Sequence, residues 1–406
     1  MISPDCSCRE TVHKALAWLW ITTGKIISQN TSAYCQARQR VPRSWLEKIH
    51  RRVVGRIEQD AGERHRWHGR NVIVVDGTGV SMPDTAENQN AYPQSKRQKP
   101  GCGFPVARLV AAFSLATGAM LETAWGALAV AERTLFHQIW DRFNAGDVVL
   151  ADRGFCGYAD FWVLMQRGVD CVMRNHQRRT KGIREVKRLA KGDRIVLWIK
   201  TNVWIRWMDK KTWAAMPPTI TVREITFRVE FPGFRTKSIT IVTTLLDQKA
   251  YPTEAFVDLY RRRWLAELFL RDIKISMGMD VLRCKTPQMV DKEIWMHVIA
   301  YNLIRALMFR SAITHGVSPF RISFKGVTAT IREWMPFMAV IDDDAEAETI
   351  LGIIMRCAAR DLVPQRPNRT EPRALKRRKK NYQLLNKHRS EFREIPHRNK
   401  YRKGLS

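Results

Sequence analysis

The sequence contains no CxxC pair and no group of cysteines and histidines at zinc-finger spacing. Eight cysteines are scattered over 406 residues, and only Cys6 and Cys8 lie close together. A structural zinc ion needs four closely placed thiolate or imidazole ligands. The cysteine pattern therefore argues against a zinc module and is typical of separate buried thiols in a reducing compartment.

Long apolar runs are also absent. The longest apolar stretch, around residues 106–131, contains Arg108 and Glu122, and the run at 15–21 is far shorter than the roughly 20 residues that a membrane span needs. The opening MISPDCSCRE lacks the basic-then-apolar layout of a signal peptide. These features predict a soluble, cytoplasmic protein without a membrane segment.

Acidic residues are scarce relative to basic ones. The chain has 39 Asp and Glu against 69 Lys and Arg, a formal net charge of +30. Such a surplus attracts polyanions over a Debye length of about 8 Å. Nucleic acid is the first candidate partner, and an anionic membrane surface is the alternative. The tail from Pro364 is especially basic, which predicts a partly disordered or loosely helical arm that contacts phosphates.

The order of predicted elements indicates an α/β protein. After a helical start, the pattern gives three strands, a helix, a strand, a helix and a strand, beginning with the β-branched run VIVV at 72–75. This is the order of a ribonuclease H-like core with a mixed sheet. Further along, IVLWIK, NVWIRW and ITVREITFRVEF alternate β-forming and basic residues, and the pattern from Pro252 to about residue 313 is helical.

We therefore predict five regions. They are a helical N-terminal region (1–70), the first part of the core (71–176), a basic β-rich insertion (177–235), the second part of the core (236–315), and a helical C-terminal region with the basic tail (316–406).

Two aspartates stand where predicted strands end. Asp76 follows VIVV, and Asp152 follows VVLA. Side chains at strand ends project toward the edge of a sheet, where functional sites are common. Each aspartate alone is also compatible with an ordinary turn or cap. Their presence on neighbouring predicted strands favours a shared site.

Glu267 lies in YRRRWLAELFLRDIK, a segment rich in arginine. At about 100° per residue, Tyr260, Arg263, Glu267 and Lys274 share one helix face, with Arg271 beside them. Nearby acids project away from this face. One interpretation is a set of surface i, i+4 ion pairs worth only about 0.3 to 0.5 kcal/mol each. That interpretation does not explain why Tyr260 and Lys274 lie on the same helix face.

The spacing Tyr260-x2-Arg263-x3-Glu267-x6-Lys274 resembles the YREK signature of bacterial insertion-sequence transposases of the insertion sequence four family. VVDGTG at 74–79 and ADRGF at 151–155 resemble the segments around the two catalytic aspartates of that family. Four residues at fixed spacing, together with two aspartate segments in the right order, are more specific than one short motif.

The resemblance implies a DDE triad of Asp76, Asp152 and Glu267 that binds two divalent ions, Mg²⁺ with Mn²⁺ as an alternative. It further implies that the protein cuts at terminal inverted repeats and joins the 3′-OH to target DNA as a homodimer in a synaptic complex, associated with the nucleoid when bound to DNA. The residues implied to contact double-stranded DNA are Tyr260, Arg263, Trp264, Arg271 and Lys274, with packing in the core as the alternative for Trp264.

Two other functions remain open from the sequence. A ribonuclease H-like nuclease without strand transfer would use the same three acids. A non-catalytic DNA-binding relic of a transposase would explain the charge alone. The retention of all three acids argues against the relic.

Overall fold

The computed structural model describes residues 7–25, 28–99, 101–176, 182–228 and 238–365. Within these ranges the chain forms a mixed α/β protein around one nine-stranded sheet, which confirms the predicted mixed-sheet class at this level. Apart from its first two residues, the basic tail predicted from Pro364 lies outside the described residues.

The helices and strands follow the chain in this order. The helices are α1 (Cys8–Thr23), α2 (Thr31–Arg40), α3 (Arg43–Ala61), α4 (Ala86–Ala91), α5 (Glu132–Gln138), α6 (Tyr158–Gln166), α7 (Lys210–Ala215), α8 (Thr253–Arg262), α9 (Trp264–Arg271), α10 (Pro287–His315), α11 (Phe324–Met338) and α12 (Asp344–Arg360). The strands are β1 (Val72–Ser81), β2 (Val106–Ser114), β3 (Met120–Ala127), β4 (Val148–Ala151), β5 (Asp170–Arg174), β6 (Ile183–Ala190), β7 (Asp193–Ile199), β8 (Thr219–Arg228) and β9 (Ser238–Thr243). Among the described helices, none is both long enough and apolar enough to cross a membrane.

The sheet has the strand order β3-β2-β1-β4-β5-β9-β8-β7-β6. β1, β4 and β5 run parallel to one another, and the remaining neighbours are antiparallel. The predicted order of three strands, helix, strand, helix and strand matches β1, β2, β3, α5, β4, α6 and β5. The short helix α4 between β1 and β2 is an addition that the sequence pattern did not suggest.

Both faces of the central strands are buried, which explains why β1 begins with an uninterrupted β-branched run. Val74 packs on the face covered by α9 and α10. Val75 packs on the opposite face, which α5 and α6 cover. Alternation along a strand then places Asp76 on the same face as Val74, toward the segment that carries Glu267.

In the segment predicted as a β-rich insertion, β6, β7 and β8 extend the sheet, but one predicted strand is wrong. NVWIRW, residues 202–207, forms no strand. Trp204 instead closes a local loop by donating from Nε1 to the carbonyl of Met208 at 2.8 Å. Alternation of apolar and basic residues in this segment is therefore not enough to make it a strand paired with a neighbour.

The prediction of a helical pattern from Pro252 to about residue 313 is also partly wrong, because the segment forms several helices with interruptions between them. α8 ends at Arg262, α9 ends at Arg271, and a π-helical turn follows at Asp272–Ser276. The chain then leaves the helix through Gly278, whose φ of 73° is left-handed. It runs extended beside the end of β1 before α10 begins at Pro287, a residue favoured in the first turn of a helix.

Candidate active site

Asp76 and Asp152 lie side by side on adjacent parallel strands. The last parallel pair between β1 and β4 is Val75 with Ala151, and each aspartate is the next residue along its chain. Neighbouring strands are about 4.8 Å apart. Because β4 ends there while β1 continues to Ser81, the two carboxylates border a notch in the sheet.

Each aspartate is held by a short local hydrogen bond. Asp76 Oδ1 accepts from the backbone N–H of Gly77 at 2.8 Å, and Asp152 Oδ1 accepts from the backbone N–H of Arg153 at 2.7 Å. Asp76 is partly buried, with its side chain 22% exposed. These contacts orient both carboxylates and leave the second oxygen of each for another ligand.

Glu267 of α9 is linked to Asp76 through Arg263. Arg263 is the residue between α8 and α9, so its guanidinium stands at the junction of the two helices. Its Nη2 donates to Glu267 Oε1 at 3.2 Å, and its Nη1 is 4.0 Å from Asp76 Oδ2. Arg263 thus joins the predicted helix acid to the predicted strand acid.

The pKa of Asp76 shows the electrostatic effect of this arrangement. Burial raises the pKa of Asp76 to about 6, from an ordinary value of 3.8. The Gly77 N–H and Arg263 oppose the rise, whereas the nearby charges of Glu267 and Asp152 add to it. Like charges that approach one another without a cation favour protonation of one of them. The three acids therefore share one electrostatic environment.

Arg263 responds to all three acids. Burial acts to lower the pKa of Arg263, but Tyr260, Asp152, Asp76 and Glu267 together raise it above its ordinary value. Its Nε is buried and has no hydrogen-bond partner among the described residues. One guanidinium therefore lies within electrostatic range of all three carboxylates, and one of its donors is unused.

The remaining predicted contact residues lie at different depths. Tyr260 is buried beneath Arg263, whose guanidinium lies 5.8 Å from the centre of its ring, and burial raises the pKa of Tyr260. Trp264 is 52% exposed, so its ring is available to a ligand and is not part of the core. The Arg271 side chain is 62% exposed and lies 3.7 Å from Asp272.

Lys274 points at the strand that carries Asp76. Its Nζ donates to Thr78 Oγ1 at 2.9 Å. Thr78 is two residues after Asp76, so alternation puts both side chains on one face of β1. Sequence reasoning missed Thr78, although its i+2 spacing from Asp76 was the signal that could have found it.

A buried ion pair fixes the start of α8. Arg223 of β8 donates to Asp193 of β7, and both side chains are fully buried. Arg223 also donates to the carbonyl of Tyr251, and Asp193 accepts from Thr253 Oγ1 at 2.7 Å. The insertion therefore holds the N-terminal end of the helix that leads to Arg263.

The three carboxylates suit a hard divalent cation, which prefers oxygen ligands. Arg263 Nε, buried without a partner, marks a polar site that is not fully satisfied. Within the described ranges, however, no three His, Cys, Asp or Glu side chains are arranged closely enough to hold a metal ion. A metal and the guanidinium cannot occupy one position because their charges repel. The chemistry of the donors therefore fits a divalent cation, and in this structure Arg263 lies against two of them, Glu267 and Asp76.

Comparison with known proteins identifies the family of the chain. Residues 67–303, more than half of the chain, match the family described as "Transposase DDE domain". The chain is 28% identical over 298 residues to "Transposase InsG for insertion sequence element IS4" of Escherichia coli (strain K12). That match covers 72% of this chain and 64% of the relative.

Two further proteins match a smaller part of the chain or match it with lower identity. "Putative transposase InsZ" of the same organism is 30% identical over 145 residues, which are 34% of this chain and 46% of that protein. A cryo-EM structure of a piggyBac transposase synaptic complex with hairpin DNA aligns at a TM-score of 0.38 and 7% identity, over 70% of this chain and 57% of that one. The chain thus spans less than two thirds of the length of these curated relatives. On the match over residues 67–303, it belongs to the transposase DDE domain family.

Proposed function

We propose that the protein is a DNA transposase that cuts at the ends of an insertion sequence and joins the freed 3′-OH to target DNA by metal-dependent phosphoryl transfer. The observation that carries this proposal is the position of the Arg263 guanidinium, whose Nη2 donates to Glu267 Oε1 at 3.2 Å and whose Nη1 lies 4.0 Å from Asp76 Oδ2. Arg263 thus links an acid of α9 to an acid of β1, and Asp152 follows the strand next to β1.

The fold of the catalytic part is proposed to be ribonuclease H-like. The support is the order β1, β2, β3, α5, β4, α6, β5 and the parallel pairing of β1 with β4 and β5. In such a core the two aspartates come from adjacent strands and the third acid from a later helix. The β-rich segment that contains β6, β7 and β8 lies between Asp152 and Glu267 in the chain.

Membership of the DDE family implies a general dependence on divalent metal. Asp76, Asp152 and Glu267 are the proposed ligands of two Mg²⁺ ions, with Mn²⁺ as an alternative. Bound there, the ions would lower the pKa of water and stabilise the leaving oxygen. The carboxylates would hold the cations, whose charge offsets the repulsion between these acids and the reacting phosphate, and Arg263 would pair with a DNA phosphate. Water attacks first and releases a 3′-OH, which then attacks the target strand.

The side chains around the triad are proposed to position double-stranded DNA. Arg263, Arg271 and Lys274 supply positive charge to phosphates, contacts that orient DNA without reading its sequence. The exposed Trp264 ring offers a stacking surface for a base. Tyr260 lies too deep for broad contact with DNA, and its proposed part is to support the Arg263 guanidinium, which lies 5.8 Å from the centre of its ring.

Joining two transposon ends requires both to be held at once, so the proposed assembly on terminal inverted repeats and target DNA is a homodimer. The proposed location is the cytoplasm, with the protein on the nucleoid when it is bound to DNA. A net charge of +30 favours binding to DNA over remaining free.

A strand-transfer assay tests the proposal directly. The purified chain is mixed with Mg²⁺, a plasmid target, and a labelled duplex that ends in the inverted repeat flanking its coding region, with the 3′-OH already exposed. The expected product is labelled plasmid, because the pre-cut end needs only the joining step. A matched duplex with a 3′-deoxy end removes the nucleophile and is expected to give no joined product.

Two outcomes contradict the transposase proposal. Cleavage of an uncut duplex without joining of the pre-cut one indicates a nuclease. Metal-independent binding with neither reaction indicates a DNA-binding relic.

A further inference from the structure

We infer that the buried ion pair of Asp272 and Arg305 is a positioning pair that aims Lys274 at the active-site strand. The inference rests on the proposed function, in which Lys274 holds a DNA phosphate. Asp272 and Arg305 touch neither the three acids nor the proposed DNA contacts directly, except that Asp272 adjoins Arg271. They act through the turn between them and Lys274.

Asp272 is the first residue of the π-helical turn, two residues before Lys274. Its Oδ2 accepts from Arg305 Nη2 at 2.6 Å, and its side chain is 10% exposed while that of Arg305 is 4% exposed. Charges that are this deeply buried are held only where they are paired and hydrogen-bonded. The pair therefore fixes where the π-turn starts relative to α10.

Arg305 is itself held on several sides. Its Nε donates to the Tyr301 hydroxyl at 3.0 Å, and that hydroxyl donates to the carbonyl of Gly118 at 2.7 Å. The guanidinium lies 4.7 Å from the ring centre of Phe269 and 5.0 Å from that of Phe324. Because α10 and the β2–β3 turn both hold this side chain, Asp272 is tied to a rigid part of the fold.

The π-turn sets the direction of Lys274. A single π-turn within a helix commonly occurs at a functional site, where it changes the direction of the side chains that follow. Here the Met277 N–H donates to the Asp272 carbonyl at 3.1 Å, a bond over five residues. The Lys274 side chain then lies against Thr78 on β1.

The far end of the turn is also attached to β1. The Ser81 N–H donates to the Asp280 carbonyl at 3.0 Å, and the Leu282 N–H donates to the Ser81 carbonyl at 2.8 Å. Lys274 is therefore placed between two anchors, the Asp272–Arg305 pair before it and the β1 bridge after it. Loss of the first anchor frees the π-turn while the bridge remains.

A double-mutant cycle tests the inference without requiring activity. Affinity for a fluorescein-labelled duplex of mixed sequence is measured against salt in EDTA, for Lys274→Ala, Asp272→Asn and the double variant. The slope of log K against log salt is negative, and losing one phosphate contact makes it shallower by about 0.9. We expect this loss from Lys274→Ala and also from Asp272→Asn. The double variant is expected to lose no more than either single variant, because the positions are coupled.

Two controls separate positioning from general structural loss. Asp60→Asn removes one negative charge, as Asp272→Asn does, and it removes a partner of Arg310, another arginine of α10. Lys274→Ala is expected to keep its full effect on the salt slope in the Asp60→Asn background. Arg305→Lys keeps a cation opposite Asp272 but loses the planar fork. It provides a second background in which the Lys274→Ala effect should fall below half, and circular dichroism verifies folding of every variant.

The outcomes distinguish two failures. An unchanged salt slope for Lys274→Ala in the otherwise natural sequence overturns the proposed phosphate contact and with it this inference. A full Lys274→Ala effect in a folded Asp272→Asn or Arg305→Lys background overturns the positioning role alone.

Discussion

Glu267→Gln is expected to lower metal-dependent DNA cleavage by about 10³-fold or more while leaving duplex affinity within a few fold. A carboxylate that holds a catalytic cation supplies several kcal/mol to the transition state, and about 1.4 kcal/mol corresponds to a tenfold change in rate. The amide keeps the shape of Glu267 and can still accept from Arg263 at Oε1. The change therefore removes charge from the site with little change in packing, and cleavage of a labelled repeat duplex in Mg²⁺ measures its effect.

The matched control for this variant is Glu254→Gln. Glu254 is an exposed acid in the first turn of α8, on the same segment of chain. Glu254→Gln is the same chemical change at another position. The variant is expected to cleave DNA within about twofold of the rate of the natural sequence, because surface substitutions away from special features have small effects. Cleavage by Glu267→Gln at the rate of the control would exclude Glu267 from the triad.

Asp76→Asn is expected to stabilise the metal-free protein at neutral pH by up to about 3 kcal/mol. A rise of the pKa from 3.8 to about 6 means that folding disfavours the ionised form, and each unit is worth about 1.4 kcal/mol. The folded chain holds this proton up to about pH 6, whereas the unfolded chain releases it near pH 4. Stability is therefore lost as pH rises from about 4 to about 6.

Urea unfolding in EDTA at several pH values measures this effect. The free-energy difference between Asp76→Asn and the natural sequence is expected to be near zero at pH 4 and to reach its full size above pH 6. Asp258→Asn is the control, because Asp258 is 76% exposed and its loss is expected to change stability by less than about 0.5 kcal/mol. A difference that stays constant from pH 4 to pH 7 would contradict the raised pKa.

The pairing of the two aspartates was accessible from sequence for a simple physical reason. VIVV and VVLA are short apolar runs typical of buried strands, and a polar residue directly after each marks where burial ends. Once β1 and β4 are parallel neighbours, strand geometry alone brings Asp76 and Asp152 together. The part played by Glu267 in the catalytic triad remains a prediction from motif spacing.

The course of the chain around Glu267 was not accessible in the same way. A helical wheel treats residues 260–274 as one straight helix, whereas the α-helix is interrupted at Arg263 and again at the π-turn. At the second break Asp272 pairs with Arg305, which is 33 residues away in sequence, and no local pattern encodes so distant a pairing. On a straight helix Asp272 would point away from the face that carries Glu267, and in the structure this direction leads to Arg305 of α10.

The central claim is that Asp76, Asp152 and Glu267 hold the same cations, and metal-directed cleavage of the polypeptide tests it most directly. Fe²⁺ replaces Mg²⁺ in the DNA-bound protein, and ascorbate with hydrogen peroxide produces hydroxyl radicals that cut the chain beside the bound ion. The expected result is three sets of fragments, ending near residues 76, 152 and 267, all suppressed by excess Mg²⁺. Cuts near only one of these positions, or at none of them, would contradict a shared metal site.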